Sequence, residues 1–174
     1  TRLHTLFANA DTLGSLIDPV RAAEQAGLES VGWTAVAPLV QEALTSETSH
    51  DGTDPAAAVF GHAAASIARA ADYLSRSYSL VTTNPPYLTR QHQRSDLTAF
   101  LQATTIAGDA DIATAFLERG QALCAYNGAT AVVSPLGWFY QPAYRALRIH
   151  LLETADWKLV ARLGTRAFRA IGGE

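Results

Sequence analysis

The stretch Tyr78-Ser79-Leu80-Val81-Thr82-Thr83-Asn84-Pro85-Pro86-Tyr87 decides how this chain is read. Tyr78 to Thr83 is a β-prone run, the kind of side chain that fits a pleated surface. Pro85 and Pro86 have no backbone N–H to give a ladder, so a central strand stops before them. Working upstream, Asp54-Pro55 predicts a helix start, with Asp as N-cap and Pro in the first helical position. Phe60, Ile67, Ala71 and Leu74 share one face of that helix. Thr45 to Thr53 is a Ser/Thr/Asp/Gly-rich loop. Ala-rich periodic sequence predicts helices from Pro19 to about Ala26 and from Trp33 to Leu44. Leu3 to Ala8 reads as a short strand, followed by the polar turn Asn9-Ala10-Asp11-Thr12.

Working downstream, a polar loop leads to two helices, Leu97 to Ile106 and Ile112 to Leu123. Ala129 to Ser134 reads as a compact, buried strand. Pro142 to Glu153 reads as a helix with Tyr144, Leu147 and Leu151 at core spacing. Trp157 to Leu163 reads as a last strand, and Gly172-Gly173 as a turn. Strands alternating with helices predict an α/β fold with a mainly parallel sheet. In such sheets ligands sit outside the carboxyl ends of the strands, and Asn84 to Tyr87 lie at such an end.

The bulk properties narrow the classes. With 174 residues there is room for one domain with a real core. An apolar fraction of 48% with 17% charged residues is ordinary for a soluble protein. No apolar run approaches the length of a membrane span, and no signal segment opens the chain, so the cytoplasm is the expected location. Cys124 is the single cysteine, which excludes an internal disulfide framework and a thiolate metal cluster. His4, His50, His62, His92 and His150 lack metal-ligand spacing, and no Gly-x-Ser-x-Gly elbow occurs. The net charge of -3 does not present the basic stripe of a nucleic-acid binder. Either DNA is not the partner, or the basic part lies elsewhere in a longer protein. The absence of Met and the start at Thr1 favour the second view.

The chemistry concentrates in Asn84-Pro85-Pro86-Tyr87. An amine attached to an aromatic ring is a poor nucleophile, because its lone pair is delocalised into the ring. Two acceptors placed on its hydrogens draw it toward a tetrahedral, more reactive geometry. The Asn84 side-chain carbonyl is one such acceptor and the Pro85 backbone carbonyl the other, held rigidly by consecutive prolines. Tyr87 offers a flat face for a planar base, which must leave its duplex to be reached. The bland reading is a rigid turn after a strand. Against it, an exact match to all four residues arises by chance in roughly one such chain per thousand or fewer.

Val81-Thr-Thr-Asn-Pro-Pro-Tyr-Leu88 resembles motif IV of the amino-methyltransferases, in the branch that methylates adenine. Asp111-Ile-Ala-Thr-Ala-Phe-Leu-Glu-Arg119, Gly128-Ala-Thr-Ala-Val-Val-Ser-Pro135 with Trp138-Phe139, and Trp157-Lys-Leu-Val-Ala-Arg-Leu-Gly164 through Ala167-Phe168 and Gly172-Gly173-Glu174 follow in order. This succession is similar to the large N6-adenine DNA methyltransferases of the BREX/phage-growth-limitation (PglX-like) type. It is similar more loosely to type IIG restriction-modification enzymes. The resemblance runs from about Asp54 onward. It implies a Rossmann-like fold, S-adenosylmethionine as methyl donor with no metal, and double-stranded DNA with a flipped adenine as substrate. Other defence-system proteins are implied as partners, and no membrane.

The resemblance also implies roles outside the tetrapeptide. An aromatic near Phe168 can stack on the extruded adenine, although a core Phe is an equal reading. Asp11 is placed like the acidic residue that touches the cofactor's adenine, although a turn or N-cap Asp is as good. Arg90, with Gln91, His92 and Arg94, can contact phosphates beside the flipped base; a solvated loop is the alternative. None of the twelve glycines forms the Gly-rich loop that holds the methionine part of the donor. The acidic residue that grips the ribose also has no counterpart. Residues 1–174 are therefore expected to be the central and C-terminal part of a methyltransferase catalytic domain. The glycine-rich cofactor loop and the target-recognition domain are expected elsewhere, and the fragment alone is expected to be inactive. A non-catalytic methyltransferase-like module that docks a partner or recognises DNA is the rival. Methylation of another amine, on cytosine, a protein or a small molecule, is a second enzymatic alternative.

Overall fold

A computed structural model of the chain describes residues 7–25 and 55–164. Helix α1 (Ala10–Leu13) passes through a 3-10 turn at Gly14–Leu16 into α2 (Pro19–Gln25). The Asp18 carboxylate accepts from the Arg21 backbone N–H at 3.1 Å, and Pro19 fills the first helical position. Both features favour a helix start there. Next come α3 (Pro55–Ser75), β1 (Tyr78–Thr83), α4 (Ser95–Thr104) and α5 (Ile112–Ala122). Strand β2 (Cys124–Val132) leads through 3-10 turns to α6 (Arg145–Thr154).

β1 and β2 pair in parallel, as the α/β reading requires, and the connection between them carries α4 and α5. Tyr78 faces Cys124 but Leu80 faces Ala129, so β2 bulges by several residues between these pairs. Asn127 takes a left-handed φ of 63° in the bulge, a conformation Asn tolerates better than most residues. Beyond it the register is regular to Thr83 opposite Val132.

Two apolar clusters flank α5. The first joins Leu13, Leu16 and Ile17 to Ala71 of α3, Leu97 and Leu101 of α4, and Ile112 and Ala115 of α5. The second joins Trp138 and Tyr144 to Leu147 and Leu151 of α6, with Leu117 of α5 packed against it. Arg119 of α5 binds the N-terminal segment to this framework. Its guanidinium donates to the carbonyls of Ser15 (3.2 Å), Ile17 (2.9 Å) and Leu74 (2.8 Å) and pairs with Asp18 at 2.7 Å. Burial pushes its pKa down, and Asp18 opposes that shift.

Several expectations need correction. Phe7 and Ala8 lie in a turn rather than a strand, and Ala10 to Thr12 are helical rather than a polar turn. β2 starts at Cys124, not Ala129, and is not buried. Half-buried and exposed residues alternate along it, because the described sheet has two strands and α5 is the helix packed on both. Trp157 to Leu163 is not a strand: no neighbouring chain pairs with it among the described residues, and Leu159 is 84% exposed. The expected strand at residues 3–6, the helix at 33–44, the loop at 45–53, Asp54 and Gly172-Gly173 lie outside the described residues. Among the described residues no helix is long and apolar enough to cross a membrane.

Candidate active site

The β1–β2 ladder ends where the Val133 N–H donates to the Thr83 carbonyl at 3.0 Å, and both chains then leave the sheet. Between the two carboxyl ends lies an open cleft of about 400 Å³, lined by Thr82, Thr83, Asn84 and Ala131 to Val133. Asn84 is the first residue beyond β1 and its side chain is exposed. Pro85 is buried, Pro86 is exposed, and Tyr87 is 44% exposed. The Tyr87 hydroxyl donates to Asn84 Oδ1 at 3.2 Å, so the two side chains meet at the surface, beside the cleft.

Downstream of Tyr87 the chain is fastened again. Thr89 and Asp111 form an antiparallel bridge. The Arg90 N–H donates to the Ala110 carbonyl at 2.9 Å, and the Ile112 N–H to the Leu88 carbonyl at 3.1 Å. The Gln93 side-chain amide adds a bond to the Leu88 carbonyl at 3.0 Å. The four motif residues thus span a short path between two fixed points, the sheet end at Thr83 and the bridge at Thr89.

The other candidates are placed less favourably. Arg90 pairs with Asp109, and Arg94 with Asp96 at 3.3 Å, so each guanidinium already has a carboxylate partner. Both remain substantially exposed, which leaves a phosphate contact open in competition with those partners. Asp11 is exposed in the first turn of α1. Phe168 lies outside the described residues. Among the described residues no group of three His, Cys, Asp or Glu is gathered as a metal site. A second cavity of about 300 Å³, between α4, α5 and α6, contains none of the motif residues. Its charged walls are already bonded: Glu118 accepts from the N–H groups of Ile106 and Ala107 at 2.7 Å, and Arg119 holds Asp18.

Sequence reasoning missed the residues that hold the loop. Asp109 is the partner of Arg90, and Asp111 caps α5 by accepting from the Ala113 N–H at 2.8 Å. An Asp just before an apolar-periodic segment is a readable cap signal. Its bridge to Thr89 has no local signal, because pairing at that separation is decided in three dimensions.

The model of the Eco57I restriction-modification methylase family matches residues 40–168. The adenine-specific methyltransferase PglX of Lacticaseibacillus casei (strain Zhang) is 35% identical over 103 residues, which cover 58% of this chain and 8% of that protein. The adenine-specific methyltransferase BrxX of Escherichia coli O9:H4 (strain HS) is 31% identical over 176 aligned residues, covering 99% of this chain and 13% of that protein. The chain therefore spans roughly a tenth of the length of these relatives. The resemblance read from Asn84 to Tyr87 and the later blocks is borne out.

Proposed function

Because this chain belongs to the Eco57I restriction-modification methylase family, we propose that it forms the base-facing half of the active site of a site-specific DNA adenine methyltransferase. The observation that carries this reading is the meeting of Asn84 and Tyr87 at the carboxyl end of β1, on a loop fastened at both ends. Asn84 Oδ1 accepts one hydrogen of the adenine amine and the Pro85 carbonyl accepts the other. The lone pair is thereby turned out of the ring and toward the methyl donor. Tyr87 stacks on the extruded base, worth about 1–3 kcal/mol and comparable to the unstacking it offsets. Its hydroxyl gives up Asn84 Oδ1 when the amine arrives. S-adenosylmethionine, when bound, supplies a methyl activated by its sulfonium sulfur, so no metal is needed. As the nitrogen–carbon bond forms, the methyl–sulfur bond breaks with its electron pair left on a neutral thioether sulfur, and one amine proton held by Asn84 or Pro85 is released to solvent.

The described residues suit the acceptor side of this reaction and not the donor side. A donor cradle needs glycines whose missing side chains leave room for a ligand. Gly120 and Gly128 instead make room for the Thr130 methyl and the Cys124 sulfur, each within 2.8 Å of where a Cβ would stand, while Gly14 and Gly164 have open space beside them but stand singly in the sequence. Residues 1–174 are accordingly assigned to the central and C-terminal part of a Rossmann-like domain. The donor loop and the target-recognition domain are assigned to other parts of a longer protein. The length of the relatives supports that assignment. The whole protein is assigned to self-DNA marking in phage defence or restriction-modification.

The test is Asn84→Ala in the full-length protein. Loss of one preorganised acceptor should lower N6 methylation of adenine by about 10²–10³-fold, with circular dichroism and melting unchanged. Retained methylation refutes the role of Asn84. The rival reading, a non-catalytic interaction module, draws on the packed-in glycines and requires that wild-type full-length protein bind DNA yet methylate none.

A further inference from the structure

Behind the bridge beyond Tyr87 lies a buried hydroxyl, outside the exposed motif. Thr114 is 1% exposed, and its Oγ1 lies 2.7 Å from the Asp111 carbonyl and 2.8 Å from the Gly108 carbonyl. A bond from a helical Thr to the carbonyl three residues back is commonplace and carries no inference. The second acceptor is different, because Gly108 stands six residues back and outside the helix. One hydroxyl proton serves both carbonyls and draws residues 108–111 onto the first turn of α5. The approach is close enough that a Cβ on Gly108 would lie 2.7 Å from the Thr114 carbonyl oxygen. Asp111, 4% exposed, locks the same segment again through its bond to the Ala113 N–H.

The opposite edge of residues 110–112 carries the backbone bonds to residues 88–90, and Leu88 follows Tyr87 directly. We infer that Thr114 is a positioning residue, which sets the place of the Asn84–Tyr87 loop through Asp111 and its bridge to Thr89. This inference rests on the reading that the loop receives adenine. Methyl transfer is sensitive to that placement, since an error near 1 Å far from the chemistry can cost about a hundredfold in rate.

The test compares Thr114→Val, which keeps the shape, with Thr114→Ser, which keeps the hydroxyl, in the full-length protein. Leu16→Ala, in a buried residue away from the motif, controls for general loss of stability. Thr114→Val should lower kcat for adenine methylation by about 10–100-fold with KM for DNA unchanged, and Thr114→Ser should restore it. In the same variants, hydrogen exchange at the Arg90 and Ile112 amides should quicken with Val and not with Ser. A wild-type kcat in Thr114→Val, an equal fall in Leu16→Ala, or no restoration by Ser overturns the inference. Should the wild-type protein methylate no adenine, the function proposed above fails while the exchange measurement still decides. Quickened exchange supports the coupling and unchanged exchange overturns it. If Thr114→Val does not fold, Gly108→Ala displaces the same segment and is read in the same way.

Discussion

Tyr87 carries two separable contributions, a ring face and a hydroxyl. The hydroxyl occupies Asn84 Oδ1, the acceptor proposed for the adenine amine. Tyr87→Phe keeps the face and frees the acceptor, so full-length protein with this change should methylate at or above the wild-type rate. Tyr87→Ala should lose about 1–3 kcal/mol of base binding, read as weaker fluorescence change from 2-aminopurine placed at the target adenine. A Phe variant as damaged as the Ala variant would show that the hydroxyl, not the ring, matters. At this scale the motif was legible because the chemistry proposed for it falls on four adjacent residues. The charges around it were not: Asp109, nineteen positions from Arg90, neutralises a guanidinium that the sequence presents as free.

Elements were legible where a local stop or start marks them. β1 ends at Thr83 because the prolines end it, and α2 begins at Pro19 behind the Asp18 cap. Trp157 to Leu163 has the composition of a strand but no neighbour to pair with among the described residues, and strand formation is a property of the pair. Instead Trp157 turns back on α6, donating to the Leu151 carbonyl at 3.2 Å, and its ring lies 5.9 Å from that of Trp138. Arg119 was equally silent, reading as an ordinary cation at the end of a helix. In the fold it joins α5 to the end of α3 and to the segment before α2. Arg119→Ala takes the guanidinium from those carbonyls and leaves Asp18 only its bond from the Arg21 N–H, and should cost about 3–5 kcal/mol, measured as a lowered urea midpoint. Arg119→Lys should recover little, since one ammonium cannot reproduce the spread of the guanidinium donors. A loss confined to a few tenths of a kcal/mol, on the scale of ordinary surface changes, would show that the clamp is dispensable.

Across the whole molecule, α5 is the wall shared by the two clusters, and its start is where the motif loop, the cap and α6 converge. Tyr144 belongs to the second cluster and is 8% exposed. Its phenol is held above the ordinary value of 10.0, first by burial and then by the negative charge of Asp111. The folded protein therefore binds that proton more tightly than the unfolded chain does. The resulting stability is complete below pH 10.0 and is lost as the pH climbs through the raised pKa. Urea midpoints followed upward from pH 10 should fall in the wild-type chain, and fall less steeply in Tyr144→Phe, where no proton can be lost. Asp111→Asn removes the second cause of the shift, so tyrosinate absorbance from Tyr144 should emerge at lower pH in that variant. Identical alkaline profiles for wild type and Tyr144→Phe would mean that other groups govern the loss, and that the junction at α5 does not depend on a neutral phenol.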